Sequence, residues 1–356
     1  MLDTDKRWEK LGDSLINYSL GIKPGEKLMI MMLEVESYPL ALECYKACIK
    51  AGGYCQIQFM SEAIKHQILK YGNDDQISWV PEIEKYGMEW ADCYLALRGG
   101  FNLNECFDIP NEKIAKYQKA MGIISTHRWQ NTRWALVRVP NEKFAQQANV
   151  SYDKMMDMFF DSCDMDWTKE HEKYDHIMDV LATGDTFHIV APNTDLTMRV
   201  KKDCWQMADG YTNIPDGEVA STPVWESVNG YIQFEFPATI GGKVIKDMRL
   251  EFKDGICVKC TAKENEEYAN KILDSDENSR KVGEVAFGTN PGVDTITTDI
   301  LIDEKFKGTM HIAMGRPYDD SYVSAIHWDI IKDLRTDAKV YMDGQVIFEN
   351  GEFTIK

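Results

Sequence analysis

The sequence of 356 residues lacks the features that mark membrane proteins and disulfide-stabilised secreted domains. No run approaches eighteen apolar residues, so no segment is expected to span a membrane. The opening residues, MLDTDKRWEKLGD, contain no apolar core of the kind found in a signal peptide. The nine cysteines are odd in number and scattered, which does not indicate a disulfide framework. These absences predict a cytoplasmic protein with free thiols.

Basic residues are also in the minority. The chain has 40 Lys and Arg against 58 Asp and Glu, a formal net charge of −18. This excess of negative charge argues against nucleic acid or an anionic membrane as the partner. It is compatible with divalent metal ions and with amine-bearing substrates.

Three common catalytic motifs are missing. The first predicted strand is followed by LEVESYPLAL, which contains no glycine-rich turn for a dinucleotide. The chain has neither a Walker loop nor the G-x-S-x-G elbow of serine hydrolases. The first half is therefore interpreted as scaffold, substrate wall or dimer surface, and not as a cofactor domain.

The fold class is predicted from two kinds of sequence pattern, one in each half of the chain. In the first half, apolar strands such as KLMIMM and YCQIQFM alternate with helical patterns such as YPLALECYKACIKAGG, which predicts βαβ units and a parallel sheet. Residues 151–184 are predicted to be helical throughout, between a Ser151 cap and Gly184. Beyond them, alternating segments with Asn/Asp-Gly turns indicate antiparallel hairpins. We predict an α/β N-terminal domain, 1–170, and a β-rich α+β C-terminal domain, 171–356, that carries a metal site.

Two histidines and an aspartate near the C-terminus are candidate metal ligands. His327 and Asp329 are separated by one tryptophan, and on a helix they would point about 200° apart. On a strand both lie on one face. His311 lies in another strand-like run, TMHIAMG. Imidazole nitrogen with carboxylate oxygen suits zinc, iron, cobalt or manganese, although a core histidine with a turn aspartate explains the same residues.

Two glutamates upstream favour the interpretation of these residues as a metal site. Glu218 follows a Pro-Asp-Gly turn, and Glu284 lies in KVGEVAFGTNPGV between a glycine and apolar residues. A glutamate buried in such a segment is costly unless it is paired, and a cation would pair it. The alternative is a capping or loop glutamate. HEKYDH (171–176) and CVKC (257–260) have unsuitable spacing or no second pair, so no metal is expected there.

Four of these segments occur together in a known family. NIPDGEV, GEVAFGTNPG, EKFKGTMHIAMG followed by Tyr318, and SAIHWDII resemble the metallo-aminopeptidases of the aminopeptidase T and aminopeptidase S type. NYSLGIKPGEKLMI and TRWALVRVPNEKFAQQANVS extend the likeness over nearly the whole chain.

The resemblance implies a homodimeric exopeptidase that removes the N-terminal residue of short peptides. It implies two divalent metal ions (Zn, Co, Mn or Mg) and a metal-bound water that attacks the scissile carbonyl. The implied metal ligands are Glu218, Glu284, His311, His327 and Asp329. Glu284 and Tyr318 are the implied catalytic residues, and the Tyr318 hydroxyl would polarise the carbonyl or stabilise the oxyanion. The loop DDSYVSAI after Tyr318 is shorter than the family loop and has no glycine pair.

Two other functions stay open at this point. His311, His327 and Asp329 also form a two-histidine, one-carboxylate set, which suits a mononuclear non-haem iron ring-opening dioxygenase resembling the hydroxypyridine dioxygenases. In that case Glu218 and Glu284 need not touch metal. A metal-free binding protein with the same fold is the third possibility, and it should keep its ligand affinity when the metal ligands are replaced.

Overall fold

The computed structural model describes residues 5–355, apart from the side chain of Trp129. The chain forms two compact units. One runs to Asp164 and also contains Gly210–Pro215, and the other comprises Met165–Asp209 and the residues from Asp216 onward. The assignment of residues 1–170 and 171–356 to two domains stays a prediction.

The helices and strands have the following bounds. The α-helices are α1 (Arg7–Ser14), α2 (Tyr38–Lys50), α3 (Glu62–Tyr71), α4 (Asp74–Ser78), α5 (Glu82–Trp90), α6 (Asn111–Asn131), α7 (Glu142–Gln147), α8 (Tyr152–Cys163), α9 (Trp167–Leu181), α10 (Glu266–Leu273) and α11 (Ile300–Asp303). A π-helical turn, Leu15–Ser19, continues α1, and a 3-10 turn, Val35–Ser37, precedes α2. The strands are β1 (Lys27–Leu33), β2 (Tyr54–Met60), β3 (Cys93–Gly99), β4 (Arg133–Val139), β5 (Thr186–Ala191), β6 (Thr194–Val200), β7 (Gln206–Ala208), β8 (Asn213–Ile214), β9 (Glu218–Ser221), β10 (Pro223–Phe234), β11 (Ala238–Ile240), β12 (Lys243–Ile245), β13 (Met248–Lys253), β14 (Ile256–Thr261), β15 (Val282–Gly288), β16 (Thr309–Gly315), β17 (His327–Asp333), β18 (Lys339–Met342), β19 (Gln345–Glu349) and β20 (Glu352–Phe353).

The first unit is built on a parallel sheet of strand order β2-β1-β3-β4-β8. Its central strands are buried, with Leu28, Ile30, Leu95 and Val137 fully inaccessible in the core. Helices connect β1 to β2, β2 to β3 and β3 to β4, as is usual between parallel strands. The predicted βαβ architecture of this half is confirmed.

The prediction of one continuous helix over residues 151–184 is wrong, because two helices, α8 and α9, occupy this range. Ser151 caps α8, since its hydroxyl accepts from the Lys154 amide at 3.2 Å. The helix ends at Cys163, and Asp166 caps α9 by accepting from the Lys169 amide. The break arises because Asp166 competes for backbone amides, which favours a helix start over a helix interior.

The second unit contains two antiparallel sheets and a short hairpin. The larger sheet has the order β14-β13-β10-β6-β5-β18-β19-β20, and the smaller one the order β17-β16-β15-β9-β7. Side chains of both sheets meet in one core, which includes Leu196, Ile232 and Leu250 from the larger and Phe287 and Ile312 from the smaller. The predicted antiparallel, β-rich second half is confirmed.

No helix within residues 5–355 is both long enough and apolar enough to cross a membrane.

Candidate metal centre

The smaller sheet of the second unit carries all five predicted ligands. In β15 the alternate residues Val285 and Phe287 point into the core, as Ile312 and Met314 do in β16. Successive side chains of a strand point to opposite faces. The opposite face of the sheet therefore carries residues 284, 286 and 288 of β15 and residues 311, 313 and 315 of β16. Apart from Glu284 and His311, these positions hold only alanine or glycine, and backbone of neighbouring segments lies over Gly288 and Gly315.

Strand register brings the remaining ligands to the same face. In β17, Asp329 pairs with Ala313, which in turn pairs with Glu284 across the next ladder. His327 of β17 lies opposite Gly315 of β16, and Glu218 of β9 lies opposite Gly288 of β15. Directly opposed residues in an antiparallel pair share a face. The extended conformation predicted for SAIHWDII is thus present from His327 onward, with both candidate ligands on one side.

The ligand atoms fall into two groups of three. Glu218, Glu304 and His311 form one group, and Glu284, His327 and Asp329 form the other. Within each group the atoms lie within 4.8 Å of one another.

Glu284 joins the two groups. Its Oε1 lies 3.3 Å from His311 Nε2, and its Oε2 lies 3.0 Å from His327 Nε2. The remaining close pairs are His311 Nε2 with Glu218 Oε2 at 3.8 Å and His327 Nε2 with Asp329 Oδ1 at 3.3 Å. One oxygen of Glu284 thus faces the histidine of each group.

Several buried oxygens of this cluster fit a cation. Within residues 5–355, Glu218 Oε2 accepts no hydrogen bond although it is buried. Glu284 Oε2 and Asp329 Oδ1 face His327 Nε2 without the geometry of a hydrogen bond. Buried carboxylate oxygens are costly in this state. Divalent ions bound by oxygen and imidazole nitrogen would satisfy all three.

The second ring nitrogen of His327 is held by the backbone. Its Nδ1 donates to the Arg316 carbonyl at 2.8 Å, which turns Nε2 toward Glu284 and Asp329. Metal-binding histidines are commonly oriented by such a hydrogen bond. His311 is only 1% exposed and turns its Nε2 toward the glutamates.

The charges in the cluster shift one another's pKa values. Burial opposes protonation of both histidines, but the adjacent carboxylates outweigh it and raise the pKa of His311 to about 9 and that of His327 to about 11. Burial likewise opposes ionisation of Glu284, yet the two imidazoles lower the pKa of its carboxyl to about 2. The cluster therefore attracts positive charge strongly, and protons or metal ions compete for it.

Two functional candidates were missed from sequence, the adjacent Glu304 and Lys305. Lys305 is completely buried, and its Nζ lies 2.8 Å from Glu304 Oε1, 2.9 Å from Glu218 Oε1 and 3.5 Å from Asp216 Oδ1. In the sequence they belong to DEKFK, a charged run that is typical of a solvated surface. The signal that was available is Gly288 at the end of GEVAFG, because a Cβ atom there would lie 2.7 Å from the Glu304 carbonyl oxygen.

Tyr318 lies beside the cluster. Its ring centroid is 5.8 Å from that of His327, and 47% of the residue is exposed. Desolvation of the hydroxyl raises its pKa, and the negative charges of Glu284 and Glu218 raise it further. The phenol therefore stays protonated at neutral pH and is able to donate a hydrogen bond.

The short loop after Tyr318 is anchored at several points. Asp319 forms an ion pair with Lys201 and accepts from the Ser321 amide at 3.0 Å. Near the other end, Asp276 accepts from Ser324 Oγ at 2.9 Å and from the Ala325 amide at 2.6 Å. The loop, which contains no glycine, is thus held by an ion pair and hydrogen bonds near both of its ends.

The segments HEKYDH and CVKC, where no metal is expected, lie outside the cluster of candidate ligands. His171 Nδ1 lies 2.6 Å from Asp209 Oδ2, an ordinary histidine–carboxylate pair. Cys257 and Cys260 are buried in the core of the second unit. Neither segment contributes to a candidate metal group among the described residues.

Comparison with known proteins points to one family. The family model described as thermophilic metalloprotease (M29) matches residues 4–353. Aminopeptidase 2 of Geobacillus stearothermophilus is 23% identical over 350 residues, which cover 88% of this chain and 84% of the relative.

Two solved structures share the fold. AmpT from Thermus thermophilus superimposes with a TM-score of 0.84 at 20% identity, covering 98% of this chain and 99% of that one. A 2,5-dihydroxypyridine dioxygenase from Pseudomonas putida KT2440 superimposes with a TM-score of 0.60 at 10% identity, covering 98% and 97%.

Proposed function

The chain belongs to the M29 family of thermophilic metalloproteases, and we propose that this metallo-aminopeptidase uses two divalent metal ions to remove the N-terminal residue of short peptides. The predicted ligands Glu218, Glu284, His311, His327 and Asp329 would hold the ions. The ions would be zinc, cobalt, manganese or magnesium, since this mixture of oxygen and nitrogen ligands accepts each of them.

The observation that carries the proposal is the position of Glu284 between two groups of ligand atoms. Each of its oxygens faces a different histidine, at 3.3 and 3.0 Å. A single structural ion would not need ligand atoms on both sides of one carboxylate. Glu284 would therefore help to hold both ions, which could then act on the same bond.

The chemistry divides between the ions and the side chains. Bound in pairs, divalent ions activate a water and polarise the scissile carbonyl. The Tyr318 hydroxyl would donate to the carbonyl oxygen as negative charge develops there, which is the role of an oxyanion-hole donor. Carboxylates not neutralised by the ions would bind the free α-ammonium of the substrate, so that cleavage is limited to the N-terminus.

The fixed loop between Tyr318 and His327 bears on which peptides are accepted. Its anchors at Asp276 and Asp319 hold the chain that carries Tyr318. A shorter, anchored loop leaves a different space beside the cluster from that of a longer loop with a glycine pair. We infer that the preference for the N-terminal residue differs from that of family members with the longer loop. A homodimer and a cytoplasmic location stay predictions.

The mononuclear iron dioxygenase is the second candidate, because the dioxygenase of Pseudomonas putida shares the fold at 10% identity. Likeness at this level concerns the fold alone. The buried Glu218 and Glu284 weigh against it, since a two-histidine, one-carboxylate iron site has no use for two further carboxylates.

Metal content tests the proposal directly. The protein would be purified anaerobically without chelator, and its metals measured by elemental analysis, followed by assay against a panel of leucyl and methionyl dipeptides. We expect about two divalent ions per chain and release of the N-terminal residue. One iron per chain with no peptidase activity would favour the dioxygenase.

A further inference from the structure

We propose that the ion pair between Lys201 and Asp319 positions Tyr318 for its contact with the substrate carbonyl, so that both charged residues are positioning residues of the proposed reaction. The inference rests on the proposed function, because it presupposes that the Tyr318 hydroxyl donates to that carbonyl. It assigns a role to two side chains outside the two groups of candidate metal ligands.

The location of the Tyr318 side chain depends on the backbone that carries it. Nearly half of the residue is exposed, and its ring centroid lies 5.8 Å from that of His327. The rotamers open to such a side chain depend on its own backbone angles. Pro317 restricts the backbone immediately before Tyr318, since the pyrrolidine ring fixes one of its angles. Asp319 is the corresponding point immediately after it.

Both carboxylate oxygens of Asp319 are engaged. Its Oδ2 forms the ion pair with the Lys201 ammonium, and its Oδ1 accepts from the Ser321 hydroxyl and, at 3.0 Å, from the Ser321 amide. The side chains of Lys201 and Asp319 are only 26% and 25% exposed. Burial opposes ionisation of Asp319, yet the hydrogen bonds from Lys201 and Ser321 lower the pKa of its carboxyl below the usual value. The carboxylate is therefore charged at neutral pH, and its ion pair is screened less than one at the open surface.

The backbone of Lys201 is fixed to the sheet that carries the candidate ligands. Its amide donates to the Thr222 carbonyl at 2.9 Å, and its carbonyl accepts from the Ser221 hydroxyl at 2.9 Å. Ser221 is the last residue of β9, the strand that begins with Glu218. The ion pair therefore ties the residue next to Tyr318 to the strand of a predicted metal ligand. The loop cannot shift relative to that strand unless the pair stretches or breaks.

The remaining anchors act farther from the phenol. Asp276 accepts from the Ser324 hydroxyl and the Ala325 amide, which lie close to the start of β17. These bonds hold the end of the loop that leads into His327. The Lys201–Asp319 pair holds the other end, where Tyr318 lies.

The test is a double-mutant cycle in the full-length protein. Asp319→Asn and Tyr318→Phe are made singly and together, and kcat and KM are measured for a leucyl dipeptide with saturating Zn²⁺ or Mn²⁺. The matched control is Asp320→Asn, which removes the same charge from the adjacent, exposed position. Thermal unfolding and elemental analysis show whether each variant is folded and carries the wild-type amount of metal.

We expect Asp319→Asn to lower kcat about 10–100-fold with a smaller change in KM, because misplacing a reacting group by about 1 Å costs about 100-fold. In the Tyr318→Phe background the same substitution should cost less than about 2-fold, since no hydroxyl is left to position. Asp320→Asn should keep the wild-type kcat. Lys201→Arg, which keeps the positive charge, should retain more activity than Lys201→Met.

Three results would overturn the inference and leave the proposed function intact. The first is an unchanged kcat in folded, metal-loaded Asp319→Asn. The second is an equal loss with and without the Tyr318 hydroxyl, which would give the pair a role independent of Tyr318. The third is an equal loss in Asp320→Asn, which would assign the effect to charge alone.

Two further outcomes have a defined meaning. If Asp319→Asn does not fold, Lys201→Met carries the same cycle from the other partner of the ion pair. If the wild type releases no N-terminal residue from any dipeptide, the proposed function fails, and this inference fails with it.

Discussion

Replacing Lys305 by methionine should make the stability of the second unit depend on metal. Methionine fills similar volume but removes the buried ammonium that contacts Glu304, Glu218 and Asp216. Removing one partner of a buried ion pair typically costs about 3–5 kcal/mol, because the other charge is left without compensation. For a unit of this size that corresponds to a Tm roughly 6–20 °C lower in the metal-free protein.

Divalent ions should reverse much of this loss. The ions bring positive charge to the same carboxylates, so the difference in Tm between variant and wild type should shrink when metal is saturating. The assay is thermal unfolding followed by circular dichroism, once with chelator and once with an excess of Zn²⁺ or Mn²⁺.

Lys332→Met is the matched control. Lys332 is also completely buried, on β17, but it pairs with Glu235, which is 40% exposed, and with the Pro192 carbonyl at 3.2 Å. Water can solvate Glu235 after the substitution, so the loss should be smaller and independent of metal. Equal, metal-independent losses in the two variants would refute the reasoning, as would a metal-free Lys305→Met protein with the wild-type Tm.

Three further outcomes are expected. Glu284→Gln should abolish turnover of leucyl or methionyl peptides and lower metal content with little loss of fold, and a folded variant that still cleaves at the wild-type rate would remove Glu284 from the site. Tyr318→Phe should lower kcat by about 10²–10³-fold with a smaller change in KM, as for loss of an oxyanion donor, and an unchanged kcat would exclude this role. In metal-free protein, the pKa of His311 is raised to about 9 and that of His327 to about 11 from 6.5, so their contribution to stability is complete below about pH 6.5 and lost as the pH rises toward 11. A chelator-treated pH series of Tm values that rises over this interval would contradict the histidine assignment.

Much of the candidate site could be predicted because it lies on strands. In β15, β16 and β17 the side-chain period is two, so the spacing of His327 and Asp329, and the small residues after Glu284 and His311, are enough to indicate a shared face. The βαβ half was predictable for a related reason. Its buried strands are short continuous apolar runs, separated by helical patterns and Pro-Gly or Gly-Gly turns.

Residues 151–184 show where local pattern is insufficient. The apolar residues of α8 and α9 have helical spacing, and Asp166, whose side chain caps α9, lies between the two helices. An aspartate at such a position is compatible with a helix surface as well as with a cap. The choice between them depends on what the flanking segments pack against, which is a tertiary property.

Strand alternation and family motifs are local properties of the chain, so the parallel α/β half, the antiparallel β-rich half and five candidate ligands could be predicted from them. These ligands are Glu218, Glu284, His311, His327 and Asp329. The burial of Glu304 and Lys305, within the charged run DEKFK, is visible in the folded chain alone. Their burial depends on the missing side chain of Gly288, sixteen residues before Glu304. Whether a charge is buried depends on distant residues that cover it, and the spacing within its own segment carries no information about them.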